Sequence, residues 1–259
     1  MVQLHSATSN RSDPVQRLPL PSRVFCTEFS PFPWSSSLLA VGLQSSVTIG
    51  QCWFTEEDTN TTQFQWEVVK EIHHDTRVQA MAWSPKTSLV VAPKVVEFCT
   101  SGTDHKVRLF SSDLVEVQVR ILKGHTDYIN SLVFEPEKGE QLLTGSDDHT
   151  AKLWEDGECT TTLHFKSPVM SVQWHQEELG KVLVGQKSGI ISLFNSLTLQ
   201  PILSVDCGIA PLLSTDWSQS NALLLAAVVS TELVMFDLST PSLPTSRRPV
   251  HSEGARHVR

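Results

Sequence analysis

The sequence predicts an all-β protein built from about five copies of one short-stranded unit. Apolar residues alternate with polar residues in short runs bounded by Ser, Pro, Gly and Asp, which is typical of strands and leaves little room for helices. A phrase in which an aliphatic residue leads to an aromatic residue recurs at intervals of 40 to 54 residues. A second phrase that ends in an aromatic follows about 20 to 27 residues later. A repeat of about this length predicts a stack of similar units.

The units can be followed in order along the chain, because each begins with the first phrase. That phrase occurs as VFCTEFSP (24–31), VQAMAWSP (78–85), INSLVFEP (129–136), VMSVQWHQ (169–176) and LLSTDWSQ (212–219). The closing phrase occurs as VRLF (107–110), AKLW (151–154), ISLF (191–194) and LVMF (233–236), with VTIGQCWF (47–54) as a weaker first copy. Both phrases predict strands, so each unit is expected to hold several short strands.

Composition limits the classes of function. The 259 residues are 40% hydrophobic with a formal net charge of -8, which suits a large buried core and argues against a general binder of phosphate backbones. The five cysteines are scattered without a CxxC pair, so neither a disulfide framework nor a zinc knuckle is indicated. No apolar run approaches a membrane span. We therefore expect an intracellular, soluble protein with no nucleic acid, membrane or small-molecule partner.

The stretch GSDDHTAKLW (145–154) raises the question of a metal or catalytic site, because two aspartates and a histidine can bind a metal or transfer a proton. The stretch recurs as SGTDHKVRLF (101–110) and, with Ser-Gly in place of Asp-His, as GQKSGIISLF (185–194). Asp, Ser and Gly at one position of successive repeats are typical of a hairpin turn. A turn is therefore favoured over a metal or catalytic site.

A period near 40, a Gly124-His125 dipeptide and a closing Trp154 resemble the WD40 β-propeller family. In that family a histidine, a hydroxyl, an aspartate and a tryptophan form a buried, hydrogen-bonded tetrad. The resemblance implies that this structural tetrad is formed here by His125, Thr144, Asp148 and Trp154. The chain is expected to contain about five recognisable blades of an incomplete seven-bladed ring.

The preceding repeat matches the tetrad only in part. It has His74, Thr100 and Asp104, but Phe110 replaces the tryptophan. The propeller repeats are expected to span residues 23–251, between a flexible N-terminal segment (1–22) and an unstructured C-terminal tail (252–259).

Longer phrases resemble a more specific family, the WD40 nucleoporins of the Y-shaped scaffold complex of the nuclear pore. These phrases are IHHDTRVQAMAWSP (72–85), EFCTSGTDHKVRLFSSDL (97–114), LKGHTDYINSLVFEP (122–136), SPVMSVQWH (167–175) and RRPVH (247–251). The resemblance implies a structural subunit that docks on a large α-solenoid nucleoporin at the nuclear envelope and is found at kinetochores in mitosis. The family pattern ends in further repeats, so a shortened C-terminus is expected here.

No catalytic motif appears, since GxSxG, the P-loop, HExxH and CxxC are all missing from the sequence. We therefore expect no enzyme activity, no catalytic or metal-binding residues and no cofactor. The alternative is a WD40 substrate receptor or peptide reader in a ubiquitin ligase or chromatin complex. Such receptors often carry an arginine two residues after the closing Trp-Asp, whereas Glu155-Asp156-Gly157 follows Trp154. No phrase marks the surface that binds a partner.

Overall fold

The computed structural model of the chain describes residues 18–54, 64–176, 178 and 180–250. In this part of the chain the only helix is a single 3-10 turn, Pro33–Ser35, and the remaining elements are strands. The strands are β1 (Cys26–Phe29), β2 (Leu38–Gly42), β3 (Ser46–Phe54), β4 (Phe64–His73), β5 (Val78–Trp83), β6 (Val96–Gly102), β7 (Val107–Ser112), β8 (Val117–Leu122), β9 (Ile129–Phe134), β10 (Gln141–Ser146), β11 (Thr150–Glu155), β12 (Glu158–His164), β13 (Val169–Trp174), β14 (Lys181–Gln186), β15 (Ile190–Asn195), β16 (Pro201–Asp206), β17 (Leu212–Trp217), β18 (Leu224–Val229), β19 (Glu232–Asp237) and β20 (Ser246–Pro249).

Consecutive strands form five antiparallel sheets of four strands each. We call these sheets blades 1 to 5, which comprise β1–β4, β5–β8, β9–β12, β13–β16 and β17–β20. This arrangement confirms the all-β fold and the five repeats. The first phrase of each repeat forms the first strand of its blade, because its alternating pattern places every second side chain on one face of the sheet.

The blades pack face to face, and their interfaces form the hydrophobic core. Trp83 of blade 2 packs with Ile49 and Leu38 of blade 1, and its indole Nε1 donates to the carbonyl of Glu28 at 2.9 Å. At a later interface, Trp217 of blade 5 packs with Ile191 and other buried residues of blade 4. The aromatic residue of each first phrase after the first is buried, since it is covered by the preceding blade.

The blades follow one another around a centre. The first strands contact each other in the order β1, β5, β9, β13 and β17, and all five line a central cavity of about 780 Å³. Among the described residues no comparable packing joins β17 to β1, so these five blades form an open arc. Phe29 illustrates the consequence: its side chain is 44% exposed, because no blade in this part of the chain precedes it.

The face of blade 1 that points away from blade 2 is contacted by the segment that precedes β1. Leu18 and Leu20 pack against a small cluster that contains Leu39 and Val41. These two leucines belong to the segment 1–22 that was expected to be flexible, so its described end contacts the first blade. Residues 1–17 and the expected tail 252–259 lie outside the described residues, and the domain bounds remain a prediction.

The first blade also departs from the repeat pattern at its closing aromatic. Gly50 pairs with Leu39, as Trp154 pairs with Leu142, so a glycine takes the place of the aromatic in VTIGQCWF. Trp66 of β4 fills the space, since a Cβ on Gly50 would lie 2.2 Å from its ring. The aromatic of this repeat is therefore supplied by the fourth strand, which a pattern based on the third strand does not find.

The loops lie on two faces of the arc. The upper face carries the turns between the second and third strands and the links between blades, and it contains His125 and Asp148. The lower face carries the loops that join the first strand to the second and the third strand to the fourth. Antiparallel pairing within each blade fixes this division.

Candidate functional site: a buried tetrad and an apolar lower face

The structure brings the four side chains of the expected tetrad together in blade 3. His125 lies in the link that leads into β9, Thr144 lies on β10, Asp148 lies in the turn after β10, and Trp154 lies near the end of β11. Thr144 and Trp154 share one face of the sheet because their strands pair, with Leu142 opposite Trp154. The link and the turn meet at the upper face, which carries the histidine and the aspartate to the same place.

The four side chains form a continuous chain of hydrogen bonds. His125 Nδ1 lies 2.7 Å from Asp148 Oδ2, and His125 Nε2 lies 2.7 Å from Thr144 Oγ1. Trp154 Nε1 donates to Thr144 Oγ1 at 2.9 Å. Since the indole can only donate and an ionised carboxylate can only accept, the chain has one direction: indole to hydroxyl, hydroxyl to imidazole, imidazole to carboxylate.

That direction requires a neutral imidazole with its proton on Nδ1. Burial lowers the pKa of His125 below 6.5, and this outweighs the raising effect of the Asp148 carboxylate. Burial by itself would raise the pKa of Asp148, but hydrogen bonds from Thr150, His125 and the Thr126 backbone lower it overall. At neutral pH the pair is therefore a neutral histidine and an aspartate anion.

Each polar atom of the tetrad has its partner inside the blade. Asp148 also accepts from the Thr150 hydroxyl at 2.6 Å and from the backbone N–H groups of Thr126 and Thr150 at 3.0 Å. The His125 side chain is fully buried and that of Asp148 is only 7% exposed. Such a network stabilises a blade, but it presents no group to a substrate.

The partial tetrad of blade 2 is arranged differently from the sequence-based expectation. His74 Nε2 contacts Thr100 Oγ1 at 2.9 Å, while its Nδ1 lies 2.5 Å from the carbonyl of Thr76. Asp104 does not contact the histidine, because both of its oxygens accept from the Arg108 guanidinium at 3.0 and 2.8 Å. The expectation that Asp104 joins His74 and Thr100 is wrong in this respect.

Arg108 explains the difference. It occupies the position that Lys152 has in blade 3, and its side chain is only 4% exposed. A buried guanidinium needs a carboxylate, and its two-pronged geometry holds Asp104 firmly. The Arg108 hydrogen bonds hold the pKa of Asp104 well below its usual range. A signal was present in the sequence, since an arginine four residues after the turn aspartate can compete for it.

The three polar residues of GSDDHTAKLW lie in the turn between β10 and β11, and their side chains serve different purposes. Asp147 Oδ1 accepts from Asn130 Nδ2 at 2.8 Å, whereas Asp148 belongs to the tetrad. His149 has a positive φ of 65°, a conformation typical of tight turns. In the described residues, no group of three His, Cys, Asp or Glu side chains is placed to hold a metal ion.

Two thiols, the partly buried Cys26 and the buried Cys207, are held in their protonated form. Burial raises the pKa of Cys26 and of Cys207 to about 12, and a neighbouring acidic residue adds to the effect in each case. A thiol in this state is a poor nucleophile and a poor metal ligand. These two residues therefore act as small apolar side chains, Cys207 within the core and Cys26 packed against it.

The lower face carries a feature that the sequence analysis did not identify. Of the large hydrophobic side chains in the described part of the chain, the five most exposed all lie on lower-face loops. They are Leu197 (88% exposed), Val115 (80%), Val90 (78%), Leu243 (74%) and Val91 (68%). Val90, Val91 and Val115 lie on loops of blade 2, whereas Leu197 and Leu243 lie on loops of blades 4 and 5. Exposed aliphatic side chains on one face are available for contact with another protein. Their loops have no repeat pattern, so no sequence signal marked them.

None of the helices in the described residues has the length and apolar character that crossing a membrane would require.

Comparison with known proteins agrees with this architecture. The model of the family described as "WD domain, G-beta repeat" matches residues 66–111 and 116–155, which lie in the first three blades. A chain in the "Crystal Structure of Mitotic Checkpoint Complex" superposes with a TM-score of 0.73 over 94% of this chain and 70% of that one. Its sequence identity is 17%, so this likeness shows the fold alone.

Curated relatives are similar over nearly the whole chain. Human "Nucleoporin Nup37" is 41% identical over 90% of this chain and 72% of its own length. The mouse protein of the same name is 40% identical over 91% of this chain and 74% of its own length. The Drosophila melanogaster protein is 30% identical over 95% and 78% respectively. The similarity spans all five blades and extends well beyond the generic repeat. The chain therefore belongs to the Nup37 family of WD40-repeat nucleoporins.

Proposed function

We propose that the chain is a non-catalytic structural subunit of the Y-shaped scaffold of the nuclear pore complex, where it docks on a large α-solenoid nucleoporin. The observation that carries this proposal is the similarity to Nup37 proteins over about nine-tenths of the chain. Its location would be the nuclear envelope, at nuclear pores. At the pores it would support pore assembly and nucleocytoplasmic transport. During mitosis it would act at kinetochores.

The chemistry of the described residues supports a scaffold rather than an enzyme. The buried tetrad of blade 3 uses its donors and acceptors internally. The central cavity is lined by Glu28 and Asp216 but by no lysine or arginine, so it is poorly suited to anionic ligands. These features stabilise blades and leave the outer surface to make contacts.

The lower face is the surface best suited to dock the solenoid. Val90 and Val91 are exposed on the long loop between β5 and β6, while the partly buried Leu89 of the same loop packs against the core between blades 1 and 2. The loop is thus anchored at one residue and presents the next two to solvent. Burying such side chains against an apolar partner surface is favourable by roughly 1.5–3 kcal/mol each, before the costs of association.

Affinity purification combined with cross-linking mass spectrometry tests this proposal. The tagged protein should recover Y-complex nucleoporins from cell lysate, and its cross-links should place the lower-face loops on an α-solenoid subunit. Joint replacement Val90→Glu and Val91→Glu should reduce that recovery by about tenfold, because two charges would be buried at the contact. The matched control is Ile202→Glu, since Ile202 is 52% exposed on the outer strand β16.

Two results would contradict the proposal. Equal recovery with the parent and the double variant would exclude docking through this loop. Recovery of cullin-ligase adaptors without nucleoporins would instead support the alternative of a substrate receptor and would reject the scaffold role.

A further inference from the structure

The outer strand of every blade leaves one edge without a backbone partner among the described residues, and most of these edges carry features that discourage pairing. Three of the five lie beside a β-bulge, where the register shifts: β4 at Ile49/Gly50, β12 at Leu153/Trp154 and β16 at Leu193/Phe194. The strand β20 is short and carries Arg247, Arg248 and Pro249. Bulges, charges and proline all hinder the addition of another strand.

The outer strand β8 of blade 2 lacks these features. It pairs with β7 in an unbroken register from Val107–Leu122 to Ser112–Val117. Its sequence is VQVRIL, and Val119 and Ile121 are 49% and 45% exposed on the same face. A regular edge with exposed apolar side chains is the kind that accepts a further strand.

The only charge on β8 is turned away from its edge. Arg120 leans over the turn between β11 and β12 in blade 3, where a Cβ on Gly157 would lie 2.1 Å from the guanidinium Cζ. Gly157 has a positive φ of 81°, so the turn both favours glycine and leaves room for the arginine. The guanidinium therefore packs on a neighbouring blade, where it does not hinder another strand from pairing with the edge of β8.

We propose that β8 is a self-association edge, at which the strands of two copies of this chain pair antiparallel to form one continuous eight-stranded sheet. The sequence of the strand is self-complementary in one register. With Val119 of one copy opposite Val119 of the other, Val117 faces Ile121 and Gln118 faces Arg120. The three apolar residues of the exposed face, Val117, Val119 and Ile121, then meet one another, and Gln118 and Arg120 meet on the other face, while the buried Leu122 lies beyond the paired residues.

The competing register is less favourable. Moving the centre of symmetry by one residue places Arg120 opposite Arg120, and like charges directly opposite each other destabilise a sheet. Centring the pair on Gln118 instead would align only residues 117–119 of the two strands, so the register centred on Val119 pairs more of the strand without opposing two arginines. Because the strand has six residues, the contact is small, and the association is weak and concentration-dependent.

Sedimentation equilibrium measures the association directly. The protein should pass from monomer to dimer between about 1 and about 100 μM, the range expected for a small interface. Val119→Lys should raise the dissociation constant at least about tenfold, because it restores a guarding charge to the edge. Ile202→Lys on the outer strand β16 is the matched control and should leave the dimer unchanged. Thermal melting of each variant shows whether the monomer is intact.

A second pair of variants tests the register without altering the apolar face. Gln118→Arg places two arginines opposite each other and should weaken the dimer, whereas Gln118→Glu provides an ion pair with Arg120 and should strengthen it. Both changes are on an exposed strand, so both proteins should fold. Equal dissociation constants for the two variants would overturn the proposed register.

Disulfide trapping gives the position of the symmetry centre. The exposed Cys159 is first replaced by serine, so that it does not cross-link. Val119→Cys should then form a disulfide-linked dimer under mild oxidation, while Ile121→Cys alone should not, and a mixture of Val117→Cys with Ile121→Cys should form the mixed dimer.

Three results would overturn the proposal. They are a monomer at every concentration, a dimer that Val119→Lys leaves intact, and equal cross-linking at positions 119 and 121. A monomer is also the outcome expected if another segment of the chain or a different protein covers the β8 edge.

Discussion

His125→Ala tests whether the tetrad stabilises blade 3. The imidazole is fully buried and makes two hydrogen bonds of 2.7 Å, one to Asp148 and one to Thr144. Its removal leaves the Asp148 carboxylate with three donors, from Thr150 and Thr126, so this anion remains well satisfied. The Thr144 hydroxyl is affected more, because it loses the 2.7 Å contact and keeps only the Lys152 carbonyl at 3.4 Å as an acceptor, while Trp154 still donates to its oxygen.

The expected loss follows from these contacts. Two hydrogen bonds contribute about 1 kcal/mol each to the free energy of unfolding. The space left by the imidazole adds about 1 kcal/mol, since a packed blade can only partly collapse into it. The total of about 3 kcal/mol corresponds to a fall in melting temperature of roughly 6–12 °C for a domain of this size.

Differential scanning fluorimetry and urea unfolding measure the effect. His73→Ala is the matched control, because the His73 side chain is 78% exposed and lies next to the tetrad-like residues of blade 2. Its melting temperature should stay within about 2 °C of the parent, as expected for a surface substitution. If His125→Ala melts together with His73→Ala and the parent, the stabilising role assigned to the tetrad is wrong.

Three further predictions concern packing, protonation and metal content. Gly50→Ala should destabilise the protein by roughly 1–3 kcal/mol, because the new Cβ would overlap the ring of Trp66. Gly180→Ala is the control and should be nearly neutral, because nothing lies within 4 Å of its Cβ position. Equal free energies of unfolding for the two variants in chemical denaturation would contradict this prediction. The pKa of His125 is lowered on folding, so the folded state resists protonation, and the stability difference between the parent and His125→Ala should shrink as the pH falls below 6.5. A difference that grows on acidification would instead indicate a charged imidazole. Elemental analysis of the gently purified protein should find no stoichiometric transition metal, since residues 147–149 form a turn; about one metal ion per chain would refute that assignment.

The sequence by itself determined the repeating architecture. The alternation of apolar residues and the recurring aromatics of the two phrases are properties of neighbouring residues, and short-range order of that kind decides whether a segment forms a strand. The same reasoning placed His125, Thr144, Asp148 and Trp154 at equivalent points of a known repeat, and the structure brings their side chains within hydrogen-bonding distance of one another. Family membership also followed from long phrases of the chain.

Only the tertiary structure decided which groups meet when several partners are possible. Asp104 could bond either His74 or Arg108. It binds Arg108, because a buried guanidinium without a counter-ion is strongly unfavourable. Trp66 fills the space above Gly50 from a different strand, and Arg120 leans away from the edge of β8 onto the next blade. The choice between His74 and Arg108 depends on the burial of the guanidinium, which only the folded blade sets. The positions of Trp66 and Arg120, like the exposure of the lower-face loops, depend on packing between separate strands and blades, which the pattern of a single strand does not contain.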